Sequence, residues 1–479
     1  MSVYLICLVI ATLCYANADL FTGYSSSLSI VIALLAIQLV VIYRRYEPYE
    51  SLRKQYIRIF PILLFSFVCV HFQQFIDLYL GTGTFKYREY SDYHLVTKSA
   101  FLSSMGLSSL LLGYRFGIEK HFNITNNNLQ NENNHKRLKV IFNCCFLIFT
   151  ILFLFLNGRA YLTGNYSQET MLNMQGTINA YSIIFMQCCM YASTIETCKY
   201  LEQLGFVNSI FDYIKSFSPI YYICLFLILF FNLVLGDRGP LITYTCIYVY
   251  GYVLTTKKKL NPIVIISSGA LLAICLSAIS IYRTDENKSF SEFNTYRSTV
   301  AENGSISPFT AELAGSTYAT LLAVESTPDL YPYRYGLFSL NNIVAAIPFS
   351  SSIFETLGIH KSLLEYGHSS SFITWYGHGG DLTRSGLGSS TIADAYIDFG
   401  PLGVVILLFL IGYLIRFLDE KSFLNSISSI NNFVLIAAFV LFANAFYFPR
   451  SMIFFFVKDI VWTWVFYTIV CKLFGKIDI

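Results

Sequence analysis

The sequence predicts an all-α polytopic membrane protein, and three observations carry that prediction. Of 479 residues, 55% are hydrophobic and only 13% charged, with a mean hydropathy of +0.55. Ordinary soluble domains carry about 25% charged residues, so this chain lacks the polar surface that soluble domains of its total length need. Disorder is excluded by the same scarcity of charge together with 17% aromatic residues. Second, apolar runs of about 15 to 23 residues recur along the chain, the length a ~30 Å hydrocarbon core requires. Third, sustained barrel-type alternation is lacking, which leaves helices to satisfy the backbone in lipid.

Twelve windows read as spanning helices: 3–20, 27–43, 59–80, 95–114, 139–156, 177–195, 219–235, 240–255, 262–281, 399–418, 432–448 and 452–473. The first, Val3–Cys14 followed by Ala16-Asn17-Ala18, resembles a cleavable signal segment. Its start carries no positive charge, so an uncleaved first helix is the preferred reading. Orientation follows from Lys and Arg in the connections. Alternate connections hold 19 of the 32 basic residues, beginning with Arg44, Arg45, Arg53, Lys54 and Arg58. That bias puts both termini in the cytoplasm. Three regions result: 1–282 with helices one to nine, a long outer loop at 283–398, and 399–479 with helices ten to twelve.

The outer loop is the main irregularity, because connections beyond about 15 residues are usually functional or disordered. Its apolar stretches argue for a folded cap. Phe309–Val324 reads as an amphipathic helix, and Tyr335–Phe349, too short to span, reads as an interfacial or re-entrant segment. The loop holds twelve acidic and six basic residues, so the net charge of +3 divides into −6 for the cap and +9 elsewhere. The Asn-rich stretch 123–134 reads as a cytoplasmic linker. All twelve cysteines lie in or beside apolar segments, which excludes a disulfide framework or a thiolate zinc site in the cap.

Candidate functional residues stand out against this background. Arg159, Arg238, Arg283 and Arg450 sit at helix ends on the outer side, against the prevailing charge bias. Guanidinium binds phosphate through two parallel hydrogen bonds and keeps its charge, so four at one membrane level suit a diphosphate at the lipid surface. Snorkelling anchors are the alternative reading. Gly386, Gly388, Ser389 and Ser390 precede a helix, and a Gly-Ser helix N-terminus is an anion site by its N–H groups and dipole. Asp394, in or near the first turn, is a candidate general base toward a sugar hydroxyl. Asp398, one turn later, reads as a favourable charge at the positive end of its own helix. His378 stands in a Tyr-Gly-His-Gly-Gly-Asp stretch before the glycine turn and is a second candidate base; a polar loop residue is its plainer reading. Trp375 and Tyr376, together with Arg384 and Tyr396, are candidate sugar contacts. No HxxH or HExxH spacing occurs, so no metal or other cofactor is expected. Phosphate and hydroxyl chemistry reached from outside points to lipid-linked glycans as substrate, with no nucleic-acid partner.

These residues resemble the O-antigen polymerases (Wzy-type oligosaccharide repeat-unit polymerases) of Gram-negative inner membranes. The resemblance covers most of the chain and is most specific in Gly386-Leu-Gly388-Ser389-Ser390, Ala393-Asp394-Ala395-Tyr396 and Phe399-Gly400 with Gly403. Gly236-Asp237-Arg238-Gly239 is similar to the family's Gly-x-Arg segment, while the family often has Glu where this chain has Asp394. The resemblance implies a metal-independent glycosyltransferase of the membrane-embedded C type, working at the periplasmic face on undecaprenyl-diphosphate-linked repeat units. It implies that the arginines neutralise the leaving diphosphate and that Asp394 or His378 takes the acceptor proton. A chain-length regulator and a flippase of the same pathway are the implied partners beside the bilayer. Two alternatives stay open: an O-antigen ligase, which needs a catalytic His in the outer loop, and a flippase or exporter.

Overall fold

The computed structural model describes residues 2–45, 57–82, 88–116, 132–163, 177–205, 207–235, 237–256, 305–307, 310–350, 353, 356, 367–381, 386–424 and 426–475. The ninth window at 262–281, Arg283 and Arg384 lie outside the described residues. Among the described residues the chain forms helices, with one isolated bridge between Val207 and Thr256. In chain order these are α1 (Ser2–Ala16), α2 (Tyr24–Arg45), α3 (Ile59–Leu80), α4 (Tyr93–Phe116), α5 (Glu132–Thr163), α6 (Thr177–Gln203), α7 (Ile210–Ser216), α8 (Pro219–Leu235) and α9 (Arg238–Thr255). Then come α10 (Ala311–Ala314), α11 (Thr317–Ser326), α12 (Leu337–Val344), α13 (Ser369–Gly377), α14 (Thr391–Leu424), α15 (Asn432–Asn444) and α16 (Phe456–Phe474).

The eleven windows inside the described residues all fall on helices. Among the described residues five helices are long and apolar enough to cross a membrane: α2, α3, α4, α5 and α14; α7 and α8, bent by 98° at their junction, would make a sixth. The helices α1 and α15 have 15 and 13 residues. At about 1.5 Å per residue these fall short of a ~30 Å hydrocarbon core.

The centre of the bundle is α4, nearly all of whose residues are buried. It is rich in small residues, including Ser99, Ser103, Ser104, Gly106, Ser108, Ser109 and Gly113, a composition that lets helix backbones approach closely in lipid. Its main neighbour is α14. A Cβ at Gly113 would stand 1.9 Å from the Phe409 carbonyl oxygen, and one at Gly412 would stand 2.1 Å from that of Leu110. Only glycine permits this crossing. Ser103 and Ser108 turn their hydroxyls back onto their own helix, to the Ser99 and Ser104 carbonyls, whereas the Ser99, Ser104 and Ser109 hydroxyls are buried without a hydrogen bond of good geometry.

Carboxylates bind neighbouring elements by accepting their backbone N–H groups. Asp419 of α14 takes those of Ile59 and Phe60 at the start of α3, at 3.1 and 3.3 Å. Glu202 of α6 takes those of Ile427 and Ser428, both at 2.8 Å. A charge cluster fills the junction of α5, α6 and α16: Glu196 meets His135 at 2.7 Å and Lys199 at 3.3 Å, all three buried. Tyr467 donates to Glu196, and Lys199 also reaches Asn432 at 2.7 Å. Buried charges are tolerated when paired in this way.

Residues 305–307 are tied to α3. Gln73 donates to Ser305 Oγ and to the Ser307 carbonyl at 3.0 Å each, and Asp77 accepts from Ser305 Oγ and the Ile306 N–H at 2.8 Å each. The expected amphipathic helix at 309–324 differs from what is seen. Its place is taken by α10 and α11, and α11 is buried on almost every side because α3, α4, α13 and α14 all pack on it.

Candidate active site at the start of α14

Three neighbouring stretches build the site: the glycine–serine turn leading into α14, the start of α13, and the turn between α15 and α16. Gly388 has φ +78°, a left-handed conformation that glycine adopts without cost. Ser390 caps α14, its Oγ accepting the Ala393 N–H at 3.1 Å and meeting Thr320 Oγ1 at 2.9 Å. Ser389 Oγ meets Ser369 Oγ at 3.0 Å, and the Leu387 N–H donates to Thr374 Oγ1 at 3.0 Å. The two serine hydroxyls are therefore buried and engaged; Gly386 is exposed.

Asp394 stands in the first turn of α14 and is fully buried. Its Oδ2 accepts the Ile453 N–H at 2.9 Å, and the Ser369 hydroxyl lies close to the same carboxylate. Oδ1 is buried without a hydrogen bond of good geometry. The turn that supplies Ile453 also carries Arg450, half-buried, in the 3-10 segment Phe448–Arg450. Thr391 Oγ1 approaches the Pro449 carbonyl at 3.5 Å, and the His71 imidazole of α3 faces the same carbonyl. His71 is fully buried, lies tilted at 4.4 Å from the Phe67 ring, and neither ring nitrogen makes a hydrogen bond of good geometry. Thus Asp394, Thr391, Ser369, His71 and Arg450 gather around one turn.

Asp398 departs from the expected role. Its carboxylate does not serve its own helix end but accepts the Phe338 and Ser339 N–H groups of α12 at 3.2 and 2.8 Å. It thereby caps a helix 60 residues away in sequence. The reason lies two residues on. Pro401 has no N–H to give the Ile397 carbonyl, and Gly400 at φ +68° breaks the helical path. The freed carbonyls of Ile397 and Asp398 take the N–H groups of Arg334 and Tyr335 at 2.9 and 2.8 Å. The cap segment before α12 thus completes the backbone hydrogen bonding of the α14 kink.

The remaining candidates fall in three places. Tyr396 is buried, its hydroxyl 3.2 Å from that of Tyr15 and its ring 5.9 Å from Tyr333. Trp375 and Tyr376, half-buried on α13, pack edge-on against Tyr331 at 5.9 and 6.2 Å. Burial and the nearby Glu325 charge push the Tyr376 phenol up to about 12, so it remains a neutral donor. Glu325 pairs with Arg88 at 3.3 Å, yet burial and Glu89 raise its carboxyl. His378 follows α13 as its C-cap residue and is half-buried, its N–H bonded to the Thr374 carbonyl at 3.1 Å. Arg159 is exposed near the end of α5, and Tyr161, two residues on, feels the Asp237 charge that precedes Arg238. Arg238 opens α9, its side chain lying outside the described set. Arg159 thus stands near the end of α5 and Arg238 at the start of α9, while Arg450 lies in the turn that supplies Ile453 to Asp394.

Sequence reasoning missed Ser369, Thr320, Thr391, Ile453 and His71. The signal for His71 was present, because an ionisable side chain in the middle of a spanning run is a functional flag. The others are ordinary residues whose role depends on tertiary placement. A family model described as O-antigen polysaccharide polymerase Wzy matches residues 2–477, nearly the whole chain. No curated protein and no solved structure matches.

Proposed function

The chain belongs to the O-antigen polysaccharide polymerase Wzy family, and from that premise we propose how and where it joins its lipid-linked oligosaccharide repeat units. The match across residues 2–477 is the observation that carries the polymerase reading, and it does not favour the ligase or the flippase. The finer reading is a glycosyltransferase of the membrane-embedded C type with about twelve spans and both termini cytoplasmic. It resides in the inner membrane and works at the periplasmic face, beside a flippase and a chain-length regulator of the same pathway.

In the proposed reaction the anomeric carbon–oxygen bond between the growing glycan and undecaprenyl diphosphate breaks. A new bond forms from that carbon to a hydroxyl of an incoming lipid-linked repeat unit. The acceptor proton passes to Asp394 or His378, and the diphosphate leaves with both bonding electrons. Arg159, Arg238, Arg283 and Arg450 hold the leaving diphosphate with the α14 N-terminal residues Gly386, Gly388, Ser389 and Ser390, and no metal is required. Fixed cations stabilise developing charge most in a site that excludes water. Arg384, Trp375, Tyr376 and Tyr396 contact the sugars. The gathering of Asp394, Thr391 and Arg450 around the Phe448–Ile453 turn supports placing the chemistry at the start of α14.

Replacing each of the four arginines by Ala or Lys, and resolving surface polysaccharide by length, tests this. Short chains or single repeat units are expected. Full-length polysaccharide in all four mutants would remove the diphosphate assignment.

A further inference from the structure

The short helix α12 is amphipathic in the inverted sense. Phe338, Ser339, Asn341 and Asn342 are buried. Leu340 and Ile343, which share one stripe at 100° per residue, and Ile347 in the turn after the helix are 53%, 41% and 53% exposed. A helix on a water-bathed surface shows the opposite order. On the inner, polar face Asp398 takes two N–H groups, Asn341 donates to the Gly367 carbonyl at 3.1 Å, and Asn342 Oδ1 meets His368 Nδ1 at 2.9 Å, while Ser339 Oγ and Asn342 Nδ2 are buried without a hydrogen bond of good geometry. The arrangement suits hydrocarbon outside and polar chemistry inside.

Two further features set this stripe apart from an ordinary lipid-facing one. Tyr335 and Phe349 flank α12 with φ of +51° and +58°, a region bulky residues rarely adopt. Both are exposed, and each is held from behind, Tyr335 by the Asp398 carbonyl at 2.8 Å and Phe349 by the Tyr181 hydroxyl at 2.9 Å. Backbone strain of this kind persists where surrounding structure imposes it and clusters at ligand clamps. The stripe is also continuous with that of α14. A Cβ at Gly336 would stand 2.6 Å from the Phe399 ring, and Phe399, Leu402, Ile406 and Leu410 are all exposed along α14. Phe399 is five residues from Asp394 on the same helix.

We propose that this continuous apolar track, running up α14 and across the outer face of α12, is the docking surface for the isoprenoid chain of the lipid-linked substrate. The proposal rests on the polymerase reading. The chain lies along Leu402, Ile406 and Leu410 of α14 and over Leu340, Ile343 and Ile347 between the two aromatic posts, with its diphosphate end directed to the start of α14. Asp398 is the latch that holds α12 to that helix.

The test is photo-crosslinking of the full-length protein in phospholipid nanodiscs, with p-benzoylphenylalanine in place of Ile343 and, as control, in place of Phe226, an exposed residue of α8. The probe is a radiolabelled undecaprenyl-diphosphate-linked sugar, with unlabelled undecaprenyl diphosphate as competitor. Adduct several-fold stronger at 343 than at 226, and lost on competition, is expected. Equal labelling at both positions, labelling that competition leaves unchanged, or no labelling at either position would overturn the proposal. In parallel, the same nanodiscs holding the unsubstituted protein are tested for polymer formation. Its failure there counts against the polymerase reading and leaves the crosslinking comparison to be read by itself.

Discussion

Replacing Asp398 probes the junction between α12 and α14. The carboxylate accepts two buried N–H groups, those of Phe338 and Ser339, at 3.2 and 2.8 Å. The change Asp398→Asn leaves one acceptor oxygen and turns an amide donor toward the other N–H. One buried donor is then orphaned, which costs about 2 kcal/mol. At 1.36 kcal/mol per tenfold, that is about a 30-fold rise in local opening. Hydrogen exchange read by mass spectrometry should show it on the amides of α12, with those of α4 unchanged. Asp394→Asn is the contrast, since its carboxylate holds the Ile453 N–H instead, and it should leave α12 protection as it was. Unaltered exchange at Phe338 and Ser339 in Asp398→Asn, or a uniform rise across α14 as well, would refute the latch.

Gly113→Ala would put a methyl group 1.9 Å from the Phe409 carbonyl oxygen, so α4 and α14 must separate; a loss of about 3 kcal/mol should lower the thermal midpoint in detergent by several degrees. Gly23→Ala, with nothing within 4 Å of the new carbon, should leave it in place. Ser390→Ala removes the α14 cap and should cost about 1 kcal/mol, measured as the same midpoint together with faster exchange at Ala393. Glu325→Gln should flatten the pH dependence of stability: burial and Glu89 raise the native carboxyl, so its proton is bound more tightly folded than unfolded. Stability from that group is full below the unfolded pKa and is lost as pH rises through the native one. Melting curves recorded from pH 4 to 7 read the difference.

Local signals were legible in the sequence and tertiary ones were not. Apolar windows at 59–80 and 219–235 coincide with α3 and α8 residue for residue, because length and hydropathy alone mark an apolar helix. The acid in the first turn of α14 was readable for the same reason, since its place depends only on the residues beside it. Asp398 was misassigned because its partners lie 59 and 60 residues upstream and its role follows from the Gly400–Pro401 break. The window at 432–448 ends early, at Asn444, where the chain must turn to bring Pro449 and Ile453 back to α14. The segment at 309–324 looked one-sided by composition, but its polar residues Thr317 and Thr320 are satisfied inside the protein, by the Val70 carbonyl at 2.6 Å and Ser390 Oγ at 2.9 Å. Periodicity cannot tell a polar residue that faces water from one that meets a buried partner.

This membrane protein is proposed to lengthen lipid-linked glycans at the start of α14. The measurement closest to that proposal is incubation of the purified protein, in detergent, with undecaprenyl-diphosphate-linked repeat units, followed by separation of products by length. The unaltered chain should yield a ladder at repeat-unit spacing. Arg450→Ala and Asp394→Asn, shown to be folded by their thermal midpoints, should stop at the starting unit. No covalent change with the unaltered protein, or transfer of intact units across liposomes in its place, would contradict the polymerase account; full ladders from both folded variants would contradict the site.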